Sequence, residues 1–264
     1  MSGFEYDESA VTQEEANYQT PTAHARWAFV RDHLALTSGA SVLSIGCGPG
    51  FEPAELALTG QPEHVLGVDR HPVMLARARE RCPDNVSLLR GGATTLPVAD
   101  GAFDATVSVQ VCEYIEDFTA TLLELHRVLA ADGKAIVYAT DWESLIWSAD
   151  DADPDRVLDV WNTHCVHPRL GSELRVVLQS APFMIEDIVA FLIVLKQLGE
   201  DLFPQYRLEF IRGIVAPALG DFEAVVQCIF VLGLVRDCCC IYLLHLALAH
   251  LSNSQYSSLF HCAR

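Results

Sequence analysis

The chain has 264 residues, 51% of them hydrophobic and 20% charged, which gives enough apolar surface to offset the entropy of ordering and argues against global disorder. Its 35 acidic against 17 basic side chains set the formal net charge at -18, a field that repels phosphate backbones and anionic membrane surfaces. Nucleic acid is therefore disfavoured as a substrate, and the length suits one large α/β core with an appendage.

The first stretch, Met1 to Glu15, carries Glu5, Asp7, Glu8, Glu14 and Glu15 without Lys or Arg, the opposite of a secretory leader's basic start. Nine scattered cysteines, an odd number, do not make a secreted disulfide framework, so a reduced, cytoplasmic setting is expected. Ala23 to Leu36 reads as an amphipathic helix with Trp27, Val30, His33 and Leu34 on one face. Ser41 to Ile45 is a β-rich run that ends in Gly46-Cys47-Gly48-Pro49-Gly50, and Phe51 to Leu58 reads as helix. The alternation continues with strand His64 to Asp69, helix Pro72 to Arg81, strands Val86 to Arg90 and Phe103 to Gln110, helix Phe118 to Leu129 and strand Lys134 to Ala139. Strands alternating with helices predict right-handed crossovers and a parallel sheet covered on both faces. Ala130-Ala131-Asp132-Gly133 reads as the turn before the last of these strands, with the glycine supplying its backbone freedom.

Asp141 to Gly220 is less regular, with helices expected over Arg156 to Cys165 and Leu170 to Ser180 and a strand over Phe183 to Val194. A substrate-recognition insert belongs here. Val225 to Arg264 changes character: it holds one acidic residue, Asp237, two basic ones, Arg236 and Arg264, and five of the nine cysteines, Cys228, Cys238, Cys239, Cys240 and Cys262. Arg236 and Asp237 interrupt its apolar run, which disfavours a membrane span. A buried pair of elements closing the sheet is preferred over a segment foreign to the fold. The triple cysteine and the His164-Cys165-Val166-His167 cluster lack the paired, separated partners that zinc sites use, so no metal is expected.

The chemistry is expected at the glycine turn. A bare turn between strand and helix lets backbone N–H groups approach a ligand closely. Asp69 ends the next strand, where a carboxylate can accept both ribose hydroxyls of a nucleoside. The spacing is Gly-x-Gly-x-Gly, which argues against a dinucleotide's pyrophosphate.

Val42-Leu43-Ser44-Ile45-Gly46-Cys47-Gly48-Pro49-Gly50, Gly67-Val68-Asp69, Leu96-Pro97-Val98-Ala99-Asp100-Gly101-Ala102-Phe103-Asp104, Gln110-Val111-Cys112-Glu113-Tyr114, and Leu125-His126-Arg127-Val128-Leu129 followed by Gly133 resemble the successive motifs of class I S-adenosylmethionine-dependent methyltransferases. The ubiquinone/menaquinone-biosynthesis type, methyltransferase type 11, is the subgroup they resemble most, and Tyr18-Gln19-Thr20-Pro21 and Thr140-Asp141-Trp142-Glu143 are similar to recurrent features of it. The resemblance spans residues 15 to 220 and implies a Rossmann-like α/β fold with a mainly parallel seven-stranded sheet and helices on both faces. It divides the chain into an N-terminal helical segment over the cofactor (1–35), the cofactor-binding core (36–145), a substrate-side segment with the sixth strand (146–224) and the atypical tail (225–264).

Residue by residue, the resemblance implies S-adenosyl-L-methionine as cofactor. Gly46, Cys47, Gly48 and Gly50 would lie along its methionine portion, Asp69 on its ribose, and Arg70 and Met74 beside its adenine. Gly92 and Ala93 would cover the adenine edge, Gln110 would lie under the sulfonium, and Tyr18 and Thr20 would fold over from the N-terminal segment. Two positions depart from the family pattern. Ser44 stands where an acidic residue is usual near the cofactor's amino group, and Gly92 where Asp usually accepts from the adenine amino group. No catalytic residue is required for in-line methyl transfer; His126, Asp141 and His164 are the candidate bases if the acceptor must lose a proton. Glu113 and Tyr114 are placed at the ligand crevice, and Trp142 and Trp147 at an apolar substrate pocket or in the core. The expected function is methyl transfer to a small molecule. A weakly active or inactive cofactor- or partner-binding relative is the alternative, and a nicotinamide-dependent oxidoreductase is the weakest reading.

Overall fold

The computed structural model describes residues 8–59, 61–142, 159–179, 181–195 and 240–250. Two helices come first, α1 (Glu8–Tyr18) and α2 (Pro21–Leu34). Thr20 joins them: its hydroxyl accepts from the Ala23 N–H at 3.3 Å and donates to the Asn17 carbonyl at 2.8 Å. That N-cap starts α2, and Pro21 follows at a helical position that needs no N–H donor. The face α2 buries comprises Ala23, Arg26, Trp27, Val30 and Leu34. His33, expected on that face, is only half-buried, with Nδ1 2.8 Å from the Phe29 carbonyl oxygen. Arg26 is the polar residue that goes inside.

The alternating core follows as β1 (Ser41–Ile45), α3 (Phe51–Thr59), β2 (His64–Asp69), α4 (Pro72–Arg81), β3 (Val86–Arg90) and β4 (Phe103–Val109). A 3-10 turn (Cys112–Tyr114), α5 (Phe118–Val128), β5 (Leu129–Asp141) and α6 (Leu170–Gln179) come next, and then β6 (Met184–Leu195) and β7 (Cys240–His250). The sheet order is β3-β2-β1-β4-β5-β7-β6. β3, β2, β1, β4 and β5 run parallel, with Ser44 of β1 opposite Gly67 on one side and Val107 on the other. This is the expected Rossmann-like arrangement, five parallel strands with helices around them. Val42 to Ile45 of β1 and Ala135 to Ala139 of β5 are buried residue after residue, the pattern of parallel strands covered on both faces.

Beyond β5 the backbone pairs antiparallel with β7, and β7 in turn with β6. β7 is the described part of the apolar tail; Cys228, Cys238, Cys239 and Cys262 lie outside the described residues, as does Trp147. Of the helix expected over Arg156 to Cys165, residues 159–162 are helical and the part before them lies outside the described residues. Among the described residues, no helix is long and apolar enough to cross a membrane.

The turn expected over residues 130–133 is absorbed into β5. Phe103 pairs with Leu129, and the register then shifts so that Ala105 meets Lys134. The left-handed residue there is Asp132, at φ 62, rather than the glycine beside it.

Leu43 and Ile45 of β1, Val137 and Ala139 of β5, and Leu122 and Leu125 of α5 pack into one buried cluster. Leu170, Leu174 and Leu178 join it from α6, a four-residue spacing that puts all three on one helical stripe. Arg127 at the end of α5 ties down the segment after β3, donating to the carbonyls of Val98 and Leu96 at 2.8 and 3.0 Å while pairing with Glu124 and Asp100 at 2.7 Å. That guanidinium holds the Glu124 carboxyl below its ordinary value. β1 lies between β2 and β4, so the chain turns to opposite sides on leaving it, and a crevice opens at the carboxyl ends of these strands.

Candidate cofactor site

The crevice is walled by the bend that follows β1. Gly46 sits at φ 67 and Gly50 at φ 86, backbone conformations that side chains with a Cβ rarely adopt. Space is also short: a Cβ on Gly46 would stand 2.3 Å from Val111 Cγ2, and one on Gly50 would stand 2.9 Å from Ala78 Cα. The Gly46 and Cys47 N–H groups both donate to the Val68 carbonyl, at 2.8 and 3.0 Å, which ties the bend to β2. Asp69 at the tip of β2 faces it: Oδ2 accepts from the Gly48 N–H at 2.9 Å and Oδ1 from the His71 N–H at 2.8 Å. The carboxylate thus helps shape the bend as well as facing the crevice.

Between them lies a cavity of about 420 Å³. Tyr18, Gly46, Gly48, Asp69, Arg70 and Met74 line it, as do Gly92, Ala93 and Gln110. Nine of the twelve residues expected at the cofactor therefore share one wall system. Cys47, Gly50 and Thr20 are the three that do not. Gly50 turns against α4, and Cys47 is buried facing Gly67 and a smaller side cavity. Burial, with Asp69 and Glu52 nearby, pushes the Cys47 thiol well above its ordinary range, so it is no nucleophile.

α1 brings Tyr18 over the cavity. Its ring packs against Trp27 and Phe51 with centroids 5.8 and 5.4 Å apart, and the Glu15–Arg81 ion pair at 2.8 Å ties α1 to α4. Thr20, expected beside Tyr18 at the cofactor, is spent on capping α2 instead. Gln110 is held in a left-handed conformation at φ 55, with its N–H on the Tyr138 carbonyl at 2.8 Å. Its side-chain amide bridges Arg26, which donates to Oε1, and Thr140 Oγ1, which accepts from Nε2 at 2.8 Å. Gln110 therefore forms a rigid piece of wall.

The candidate bases separate clearly. His164 lines the cavity, stacked on Trp161 with centroids 3.8 Å apart. His126 packs edge-on against Phe183 outside it, and burial holds its imidazole below the ordinary value. Asp141 is buried at the end of β5 and is not among the lining residues. Tyr114 lines the cavity, whereas Glu113 is fully buried behind it and accepts the Thr140 N–H at 2.6 Å. Trp142 lies 1% exposed against Trp161 and His164, in the core rather than in a pocket wall. His167 directs Nε2 toward the Ile115 carbonyl at 2.9 Å. Among the described residues no group of three or more His, Cys, Asp or Glu is placed to hold a metal ion.

Sequence reasoning missed Glu52, buried beside the bend, and Arg26, buried behind Gln110. A carboxylate two residues after the last glycine and an arginine on the apolar stripe of α2 were the available signals.

Residues 43–137 match the family model of the methyltransferase domain. Over that stretch the chain carries a methyltransferase domain. Its relatives include the uncharacterised methyltransferase YdaC of Bacillus subtilis, 29% identical over 126 residues, which are 47% of this chain and 66% of that protein. The chain covers less than two thirds of the length of the curated relatives it matches first. Among solved structures, the methyltransferase fold is shared with YcgJ of Bacillus subtilis, at TM-score 0.62, 18% identity and coverage of 87% of this chain and 99% of that one. It is shared too with phosphoethanolamine N-methyltransferase 2 of Haemonchus contortus in complex with S-adenosyl-L-methionine, at TM-score 0.64, 15% identity and coverage of 95% and 59%. S-adenosylmethionine is the cofactor of the methyltransferase class to which this domain belongs. A partner-binding role in place of catalysis is not favoured by these matches.

Proposed function

We propose that the chain binds S-adenosylmethionine in the 420 Å³ cavity and transfers its methyl group to a small molecule. The observation that carries this reading is the Asp69 carboxylate facing a bare glycine bend across a cavity of nucleoside size. The residues present fit the cofactor. Asp69 keeps acceptor capacity beyond its two backbone bonds, since an ionised carboxylate has about four lone-pair sites, and these suit the ribose hydroxyls. Arg70 and Met74 flank the adenine, Gly92 and Ala93 cover its edge, and Gly46 and Gly48 admit the methionine portion. When bound, the cofactor supplies a methyl group on a sulfonium, already activated for in-line displacement.

The chain's own work is alignment. Gln110, fixed by Arg26 and Thr140, gives the sulfonium end a wall that does not move, and Tyr18 excludes water from above. Tyr114 and His164 line the remaining side, where an acceptor enters, and His164 is the candidate base positioned there. The net charge of -18 favours a small neutral or cationic acceptor over a polyanion.

Isothermal titration with S-adenosylmethionine tests the reading: saturable binding is expected, and no heat at millimolar cofactor from folded protein would overturn it. Asp69→Ala should weaken binding on the order of tenfold to a hundredfold, because it removes a charge-assisted acceptor. A Cβ on Gly92 meets nothing within 4 Å, so Gly92→Asp has room to restore an acceptor for the adenine amino group. Affinity should then rise about fivefold to tenfold, and an unchanged constant would remove the adenine from that wall.

A further inference from the structure

Glu52 is the second residue of α3, directly after the bend, and is 7% exposed. Its Oε2 accepts from the Ser44 hydroxyl, and its Oε1 has no hydrogen-bond partner among the described residues. A carboxylate oxygen buried without a partner is costly, so the group calls for an occupant. Arg81, the nearby cation, does not supply it: that side chain is directed to the Pro49 carbonyl and to Glu15. Glu52 borders a side cavity of about 20 Å³ whose wall also includes Tyr18, Gly46, Gly48 and Val109, and the same four residues line the main cavity. Such a volume holds about one water-sized group, which is the size of an ammonium.

Resting on the methyltransferase reading of the main cavity, we propose that Glu52 is the counter-ion that receives the ammonium of the cofactor's amino-acid portion. Ser44 is the positioning residue that fixes Oε2 so that Oε1 faces the side cavity. The acidic residue expected at position 44 is thus replaced by a carboxylate delivered from the neighbouring helix. Ser44 is 0% exposed, so an added acid at that position would press a second carboxylate against Glu52. Burial pushes the Glu52 carboxyl up to about 7, with the Ser44 hydroxyl opposing the rise, as befits a group awaiting a positive partner.

The test compares S-adenosylmethionine with 5′-methylthioadenosine, which keeps the nucleoside and lacks the amino-acid portion, by titration calorimetry on the full chain. E52Q should weaken S-adenosylmethionine binding by about tenfold or more while leaving methylthioadenosine within about twofold, since the lost contact is a charge-assisted one. E52D, which keeps the charge but withdraws it, should fall between wild type and E52Q for S-adenosylmethionine alone. Equal S-adenosylmethionine affinity in wild type and E52Q overturns the assignment and leaves the cofactor reading standing. Equal weakening of both ligands also overturns it, because Glu52 then acts only through the shape of the bend. Failure of wild type to bind either ligand overturns the cofactor reading itself.

Discussion

Gly50→Ala should destabilise the fold by about 4 kcal/mol, the sum of roughly 1–2 kcal/mol for a side chain at positive φ and roughly 1–3 kcal/mol for forced overlap. The overlap is with structure that cannot yield: the new Cβ would lie 2.9 Å from Cα and Cβ of Ala78 in α4 and 2.9 Å from the Cys82 sulfur. In a domain of this size the midpoint of thermal unfolding should fall by about 10 °C. Gly48→Ala is the matched control. Gly48 also has positive φ, 52, but nothing lies within 4 Å of its Cβ direction, so only the backbone cost of about 1–2 kcal/mol remains. Thermal or urea unfolding of the two variants separates the contributions, and equal losses would mean that the bend does not bear on α4 as described.

The ligand-free protein should also show a pH-dependent stability that belongs to one side chain. Glu52 has a folded-state value of about 7 against an ordinary value of 4.5, raised first by burial and lowered in part by the Ser44 hydroxyl. The folded state therefore holds the Glu52 proton more tightly than the unfolded chain. Its stabilising contribution is complete below about 4.5 and is lost as pH rises through 7, a change of about 3 kcal/mol. The groups around it are the Cys47 and Cys82 thiols, both pushed above their ordinary values by burial, with Asp69 and Arg81 beyond. Other carboxylates, Glu124 among them, titrate in the opposite sense, so the measurement is a difference. E52Q carries no titrating group, and its stability relative to wild type should improve by about 2.5 kcal/mol between pH 5 and pH 8. A flat difference would show that Glu52 is solvated in the folded protein.

Features that impose a backbone demand were legible from residue order. The bend announced itself because Gly46 and Gly50 occupy conformations that leave few alternatives to glycine, and Asp69 followed at the end of an apolar run that matched β2 residue for residue. Features set by partners distant in sequence were not. Gln110 reads as a cofactor contact, yet its amide is committed to Arg26, 84 positions away, and to Thr140, 30 positions away. The loss of an acid at Ser44 reads as a weakened site until α3 folds over β1 and sets Glu52 against the serine hydroxyl. Thr20 looked like a site residue because it neighbours Tyr18, while its local competence as a helix cap decided its place. His126 and His164 are equivalent as sequence symbols; packing puts one beside Phe183 and the other in the cavity wall.

The Arg26–Gln110–Thr140 bridge bears on how this protein should be dissected. The stretch recognisable by family likeness, 43–137, contains Gln110 but neither of the residues that clamp it. A fragment cut at those limits would keep the glycine bend and Asp69 and still lose both clamps on Gln110, leaving its left-handed backbone unsupported at either end of the side chain. The smallest piece that retains an intact wall begins upstream of α2 and ends beyond β5, and recognisable boundaries are a poor guide to where to cut.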